Sequence, residues 1–306
     1  MSKRILFMGT PDYATTIFKE LLNSSYELIG LFTQPDKPVG RKQVLTPPHI
    51  KQFCIENDLE LPIFQPEKLR ANEEAKKQIE DLKPDFIIVA AYGQILPKEI
   101  LDIAPCINLH ASLLPKYRGA SPIQESLLND DKFTGVTSMM MEEGLDSGDI
   151  LALQYLKITA TMEVVEAFSK LSDIAAKLTI TTLDEFENIK PQKQNESEVS
   201  FCGKIKKENG LVSFENAKKL FLKYKAYSYW PGVFLESGLK LKEIELVEES
   251  SINKAGELLE INNDYIIVAC EKGSLKISTL QAPSKKAVKS SDYIRGQRLE
   301  QGDILI

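Results

Sequence analysis

The sequence predicts an α/β protein: a doubly wound, mostly parallel sheet, followed by a smaller β-rich domain. Three observations carry this. Strand-like and helix-like stretches alternate through the first half of the chain, the pattern of a parallel sheet with crossover helices. The run Asp85–Ala91 (DFIIVAA) is apolar on both faces, as strands buried between two helical layers are. After the polar stretch KPQKQNESEV at positions 190–199 the texture changes to short alternating segments, which suggests a small barrel.

The elements follow in order. Arg4–Met8 (RILFM) reads as a first strand. Thr10 is placed as N-cap and Pro11 as first residue of a helix running to about Leu22, with Ile17, Phe18, Leu21 and Leu22 on one face. Glu27–Thr33 and Leu61–Phe64 are strands, Glu67–Leu82 a polar helix, and Cys106–Ala111 and Gly135–Met141 two further strands. Gly9 alone is no dinucleotide fingerprint, because G-x-G-x-x-G is absent. A long amphipathic helix spans 164–189 and closes the first domain, residues 1–189. Residues 190–203 read as a linker and 204–306 as the second domain. Within it, a helix near Asn216–Tyr227 precedes strands at 233–236, 239–246, 257–261, 265–269 and 274–280.

Composition narrows the function classes. A chain of 306 residues is long enough for two domains at ~100–200 residues each. Hydrophobic residues at 43% and charged residues at 27% exclude wholesale disorder. A net charge of −6 excludes a uniformly basic nucleic-acid coat. The charge is uneven: from Lys204 onward 17 Lys/Arg face 14 Asp/Glu, a net of +3, while the preceding residues carry −9. That contrast fits nucleic-acid contact by the second domain, and it fits ordinary surface scatter as well. No apolar run reaches the ~18 residues of a membrane helix, and the apolar stretch after Met1 is too short for a signal peptide. Four scattered cysteines and only two histidines, His49 and His110, argue for reduced thiols in the cytoplasm and against a metal site.

Chemistry concentrates in two places. Asn108 and His110 are two apart on a predicted strand, so they share a face. They lie near its C-terminal end, where open α/β sheets bind ligands. Histidine moves protons near neutral pH, and an asparagine amide donates to a developing oxyanion. A hydrogen-bonded structural histidine satisfies the same spacing. The second place is Gly144-Leu145-Asp146-Ser147-Gly148-Asp149. Asp146 could orient His110 there. On the residues alone an Asx turn closing a hairpin between Met141 and Ile150 is the favoured reading, because Asp and Gly dominate turns for local reasons. The loop Asp36–Leu45 holds Pro38 and Gly40 around Arg41 and Lys42 and is expected to be neither helix nor strand. On residues alone it is a solvated surface loop.

Five stretches in order, FMGTPDYA from Phe7, QPDKPVGRK from Gln34, AAYGQILP from Ala90, NLHASLLPKYRGASPIQ from Asn108 and GVTSMMMEEGLDSGDIL from Gly135, resemble the methionyl-tRNA formyltransferases. The stretches SYWPG at Ser228–Gly232 and STLQAPSKKA at Ser278–Ala287 resemble that family's C-terminal domain. The Asn-x-His-x-Ser-Leu-Leu-Pro run marks the wider 10-formyltetrahydrofolate-dependent superfamily. The MGTPDYA start, the PVGRK loop and the appended domain narrow it to the tRNA enzymes.

The resemblance implies a Rossmann-like formyltransferase domain followed by an OB-like β-barrel domain. It implies formyl transfer from 10-formyltetrahydrofolate to the α-amino group of methionyl-initiator-tRNA, with no metal. Asn108, His110 and Asp146 match the catalytic trio; Ser112, Leu113, Leu114 and Pro115 match the folate stretch. Tyr92, Gly93, Ile95 and Leu96 fall on a loop lining the folate pocket, and Arg41 and Lys42 on a tRNA-contacting insertion. A monomer without membrane attachment is expected. Two rivals remain at this point. A sugar-nucleotide formyltransferase could share the core and carry an extra domain. A non-catalytic RNA-binding protein would have no need of the three polar groups together.

Overall fold

The computed structural model describes residues 2–40 and 42–306. It divides into two units. The first holds the chain up to Pro122 with Phe133–Lys157 and Phe168–Cys202; the second holds Ile123–Lys132, Ile158–Ala167 and Gly203–Ile306.

The elements begin with β1 (Arg4–Gly9), α1 (Asp12–Leu22), β2 (Glu27–Phe32), β3 (Lys37–Val39), β4 (Val44–Thr46), α2 (His49–Glu56), β5 (Ile63–Phe64) and α3 (Glu73–Leu82). There follow β6 (Phe86–Ala90), α4 (Lys98–Leu101), β7 (Cys106–His110), β8 (Arg118–Gly119), α5 (Pro122–Leu128), β9 (Phe133–Met140), β10 (Ile150–Lys157), α6 (Val164–Asp184) and β11 (Phe201–Cys202).

The first unit is built on a seven-stranded sheet in the order β10-β9-β7-β6-β1-β2-β5. Strands β5, β2, β1, β6 and β7 run parallel; β9 is antiparallel to β7, and β10 to β9. All five residues of β6 are buried, each large aliphatic contributing about 1.5–3 kcal/mol. Alternation along β1 serves both layers. Leu6 and Met8 join a core with Leu69, Ile79 and Ile100, while Phe7 packs edge-on to Phe18 of α1 at 5.4 Å. On α1, Tyr13 meets Phe168 of α6 at 5.8 Å.

Several boundaries differ from expectation, each for a local reason. Helix α1 begins at Asp12 with Pro11 at the cap position, and Thr10 Oγ1 donates instead to the Tyr92 carbonyl at 3.0 Å. Helix α3 begins at Glu73 rather than at 67, because the Asn72 side chain caps it by accepting from Ala75 N–H at 3.0 Å. The loop Asp36–Leu45 is not irregular. Lys37–Val39 and Val44–Thr46 pair as an antiparallel hairpin, Pro38 opposite Leu45, and a two-stranded ribbon tolerates a proline that a central strand would not. The base of this hairpin is tied down. Lys51 Nζ donates to both Asp36 oxygens at 2.9 Å and to Gln65 Oε1 at 2.7 Å, and Gln65 Nε2 donates to Asp36 Oδ1 at 2.7 Å.

Residues 190–202 are bonded into the first unit. Gln192 pairs with Ile150, and β11 runs parallel beside β8.

The second unit contains α7 (Ala217–Tyr227), β12 (Val233–Phe234), β13 (Lys240–Ile252), β14 (Leu258–Ile261), β15 (Ile266–Ala269), β16 (Lys272–Gln281), β17 (Val288–Lys289) and α8 (Ser290–Gln297). Its strands form an antiparallel sheet in the order β12-β13-β16-β15-β14, with β17 added to β16. Among the described residues β12 and β14 do not pair, so the expected closed barrel is corrected to an open sheet. The register breaks twice along β13, which bends it. Leu241, Ile244, Ile266, Val268, Leu275 and Ile277 form its core, with Leu220 of α7 and Ile294 of α8 packed against them. Among the described residues no helix is long and apolar enough to cross a membrane.

Candidate active site

The parallel strands of the first unit end along one sheet edge, and the sequence-singled residues gather there. Strands β6 and β7 are neighbours, with Val89 opposite Asn108. The loops that leave them, one starting at Ala91 and the other at Ala111, therefore emerge side by side.

Asn108 and His110 lie on β7, 8% and 6% exposed. Tyr13 Oη steadies this strand by donating to the Leu109 carbonyl at 3.2 Å. Asp146 comes from the turn after β9, 38 residues beyond Asn108 in sequence. The structure brings the three together. Asn108 Nδ2 donates to Asp146 Oδ1 at 3.4 Å, and His110 Nδ1 lies 3.7 Å from Asp146 Oδ2. Both separations exceed a tight hydrogen bond.

The rest of the geometry fixes these groups. His110 Nε2 is 2.9 Å from the Tyr117 carbonyl oxygen. A carbonyl only accepts, so Nε2 carries the hydrogen and Nδ1 is the nitrogen turned to Asp146. Asp146 Oδ2 accepts the Gly119 N–H at 2.8 Å. Gly119 has φ of +122°, and a Cβ there would collide with the Cys202 carbonyl oxygen, so this position needs glycine. Beside Asn108 on the sheet, burial pushes the Cys106 thiol up to about 12, which keeps it protonated and unreactive.

The stretch after β7 is ordered by Thr137 of β9. Its Oγ1 donates to the Ser112 carbonyl at 2.7 Å and accepts the Leu114 N–H at 3.0 Å. Ser112 Oγ donates to the Lys116 carbonyl at 2.6 Å, and the Leu114–Pro115 peptide is cis. Leu113 and Pro115 are half-buried.

In the loop after β6, Tyr92 and Leu96 are buried in the core with Ile100, while Ile95 is 72% exposed. Gly93 has φ of +85°. Gln94 ties the loop to the segment before α3, accepting from Leu69 N–H at 2.9 Å and donating to the Pro66 carbonyl at 3.0 Å. Gln34 Nε2 and Tyr92 Oη are buried without a hydrogen-bond partner. The Gln34 amide lies next to Gly93, where a Cβ would be 3.9 Å from it. Leaving such atoms bare is costly.

Lys42 is exposed at the tip of the β3–β4 hairpin. Arg41 lies outside the described residues. Among the described residues no group of three or more His, Cys, Asp or Glu is placed to hold a metal ion.

Sequence reasoning missed Arg118 and Gln194. Arg118 Nε donates to Gln194 Oε1 at 3.0 Å, and Gln194 Nε2 donates to the carbonyls of Asp146 and Gly148, both at 2.8 Å. Gln194 sits in a polar stretch that reads as linker, and the only signal there is a proline at 191.

Comparison with known proteins places this geometry in context. Residues 3–183 match the family described as formyl transferase, and residues 204–298 match its C-terminal domain. A methionyl-tRNA formyltransferase of a Nitratiruptor species is 57% identical over 98% of this chain and 99% of its own. One from Campylobacter lari is 54% identical over 99% of each chain. Among solved structures, WlaRD, a sugar 3N-formyl transferase determined with dTDP and 5-N-formyl-THF, aligns with a TM-score of 0.67. It is 17% identical over 94% of this chain and all of its own, which speaks to fold alone.

Proposed function

The chain belongs to the formyl transferase family, and we infer from that membership that it moves the formyl group of 10-formyltetrahydrofolate onto the α-amino group of methionyl-initiator-tRNA. The product, N-formylmethionyl-tRNA, serves translation initiation. The observation that carries the site assignment is the meeting of Asn108, His110 and Asp146 at the C-terminal edge of the parallel sheet.

The folate co-substrate supplies a formyl group already activated on nitrogen. The stretch Ser112-Leu113-Leu114-Pro115 and the loop bearing Tyr92, Gly93, Ile95 and Leu96 are assigned to hold it, supported by their adjacent exits from β7 and β6 and by the unpaired Gln34 and Tyr92 atoms.

The residues then divide the work. Asn108 has two amide hydrogens; one is directed at Asp146, and the other is available to the oxygen that gains negative charge during transfer. A donor of that kind is worth about 3 kcal/mol in the transition state. His110 donates from Nε2 to the Tyr117 carbonyl and is placed to take up a proton at Nδ1, which faces Asp146 Oδ2. Asp146 accepts the proton that the attacking amine loses as its nitrogen bonds the formyl carbon, and a proton returns to the folate nitrogen as that nitrogen's bond to the formyl carbon breaks. General acid–base help of this sort is worth ~10²–10⁴-fold.

We assign tRNA contacts to Arg41 and Lys42 and to residues 204–306, on their positive charge. The bent β13 and the short strands of the second unit support an OB-like reading of its open sheet. We place the enzyme in the cytoplasm as a monomer, with four buried cysteine thiols in support of a reducing compartment.

The acceptor assay tests this reading. Purified protein with 10-formyltetrahydrofolate is offered charged initiator tRNA or an amino-sugar nucleotide. Formylation of the tRNA amine is expected; exclusive formylation of the sugar would overturn it.

A further inference from the structure

Asp146 holds its place in an uncommon backbone conformation. Its φ is +48°, in the left-handed region that residues with a side chain enter sparingly. Such a conformation persists when the surroundings over-determine it. Here one side-chain amide does so. Gln194 Nε2 bridges the carbonyl oxygens of Asp146 and Gly148, each at 2.8 Å, across the intervening Ser147.

Gln194 is itself oriented. It is 8% exposed, and its Oε1 accepts from Arg118 Nε at 3.0 Å. A guanidinium only donates, so Arg118 selects the amide rotamer that turns the NH2 group to the turn. Arg118 is 4% exposed, and its other end reaches Glu196 at 2.7 Å. The residues flanking Arg118 touch the site directly. The Tyr117 carbonyl accepts from His110, and the Gly119 N–H donates to Asp146.

We propose that Gln194 is a positioning residue for formyl transfer: it clamps the 146–148 turn so that the Asp146 carboxylate meets His110 and Asn108, with Arg118 setting the Gln194 amide. This rests on Asp146 acting in the reaction. Gln194 thus supports the turn from a segment that carries no reacting group.

The test is a double-mutant cycle in the full-length protein. Gln194→Ala removes the clamp. Gln194→Glu keeps its size and its contact with Arg118 but puts oxygen against the two carbonyls, and it serves if the alanine variant does not fold. Each is expected to lower kcat by at least ~10-fold, with KM for methionyl-tRNA and folate affinity within about threefold. In an Asp146→Ala background either change should cost less than about twofold, because the residue through which it acts is gone. Ser197→Ala, on the same segment but bonded to Asn195, should stay near wild-type.

Wild-type kcat in Gln194→Glu overturns the clamp. So does a loss confined to KM, or an equal loss in the Asp146→Ala background. Normal turnover by Asp146→Ala alone is a separate outcome. It overturns the role of Asp146 and removes the clamp's purpose with it.

Discussion

The Tyr117 carbonyl fixes the tautomer of His110. It accepts from Nε2 at 2.9 Å, which leaves Nδ1 to face Asp146 Oδ2 at 3.7 Å. Both ring nitrogens thereby face oxygen atoms. In the proposed mechanism Asn108 gives its second amide hydrogen to the reacting oxygen.

Replacing Asn108 or His110 by alanine should therefore lower kcat by at least ~10²-fold, with folate affinity little changed. Single-turnover formylation with a separate folate titration measures this. Near-normal turnover in either folded variant would remove that residue from the mechanism.

Gly119→Ala should damage stability and chemistry together. The added methyl meets the Cys202 carbonyl oxygen, and φ of +122° is strained for alanine. A loss of about 1–3 kcal/mol is expected in urea unfolding. The shifted N–H would weaken its bond to Asp146 Oδ2 and lower kcat. An alanine variant as stable and active as the parent would show that strand β8 relaxes freely.

The hairpin base gives a pH prediction. Hydrogen bonds from Gln65 and Lys51 hold the Asp36 carboxyl below its ordinary value. A lowered folded-state pKa stabilises above the unfolded pKa of ~3.9 and is lost as pH falls through the folded value. Asp36→Asn should therefore lower the melting temperature at pH 7, and the gap to wild-type should close as pH drops below the carboxylate range. A gap that is constant with pH would mean that the charge of Asp36 contributes nothing.

Arg41→Ala with Lys42→Ala should reduce kcat/KM for methionyl-tRNA and make the salt dependence of tRNA binding shallower by roughly one to two log–log units. Folate binding should not change. Unchanged kinetics and slope would leave the hairpin as plain surface.

What could be read from the sequence was what local pattern determines. The strands β1, β6 and β7 are short runs of buried aliphatics, legible because helices cover both faces. The spacing of Asn108 and His110 on one strand face was legible for the same reason. The hairpin at Lys37–Val39 was not, because all three of its residues are exposed and Pro38 argues against a strand. The start of α3 depended on whether Asn72 or an earlier residue takes the cap. Strand β10 escaped because its burial alternates poorly along ILALQYLK. Gln194 was beyond reach: its partner Arg118 lies 76 residues away, and no local periodicity marks a contact of that span.

That span bears on how the enzyme comes into being. Contacts distant along the chain form late, since loop-closure entropy is lost before they reward it. In a chain made from its N-terminus, Asn108 and His110 are synthesised long before β11 can pair with β8. The Gln194 bonds to the Asp146 turn and the pairing of β11 with β8 need residues 194–202, which are made last in the first unit. Along the chain, the contacts that hold the Asp146 turn thus close well after the strands that carry Asn108 and His110 have been laid down.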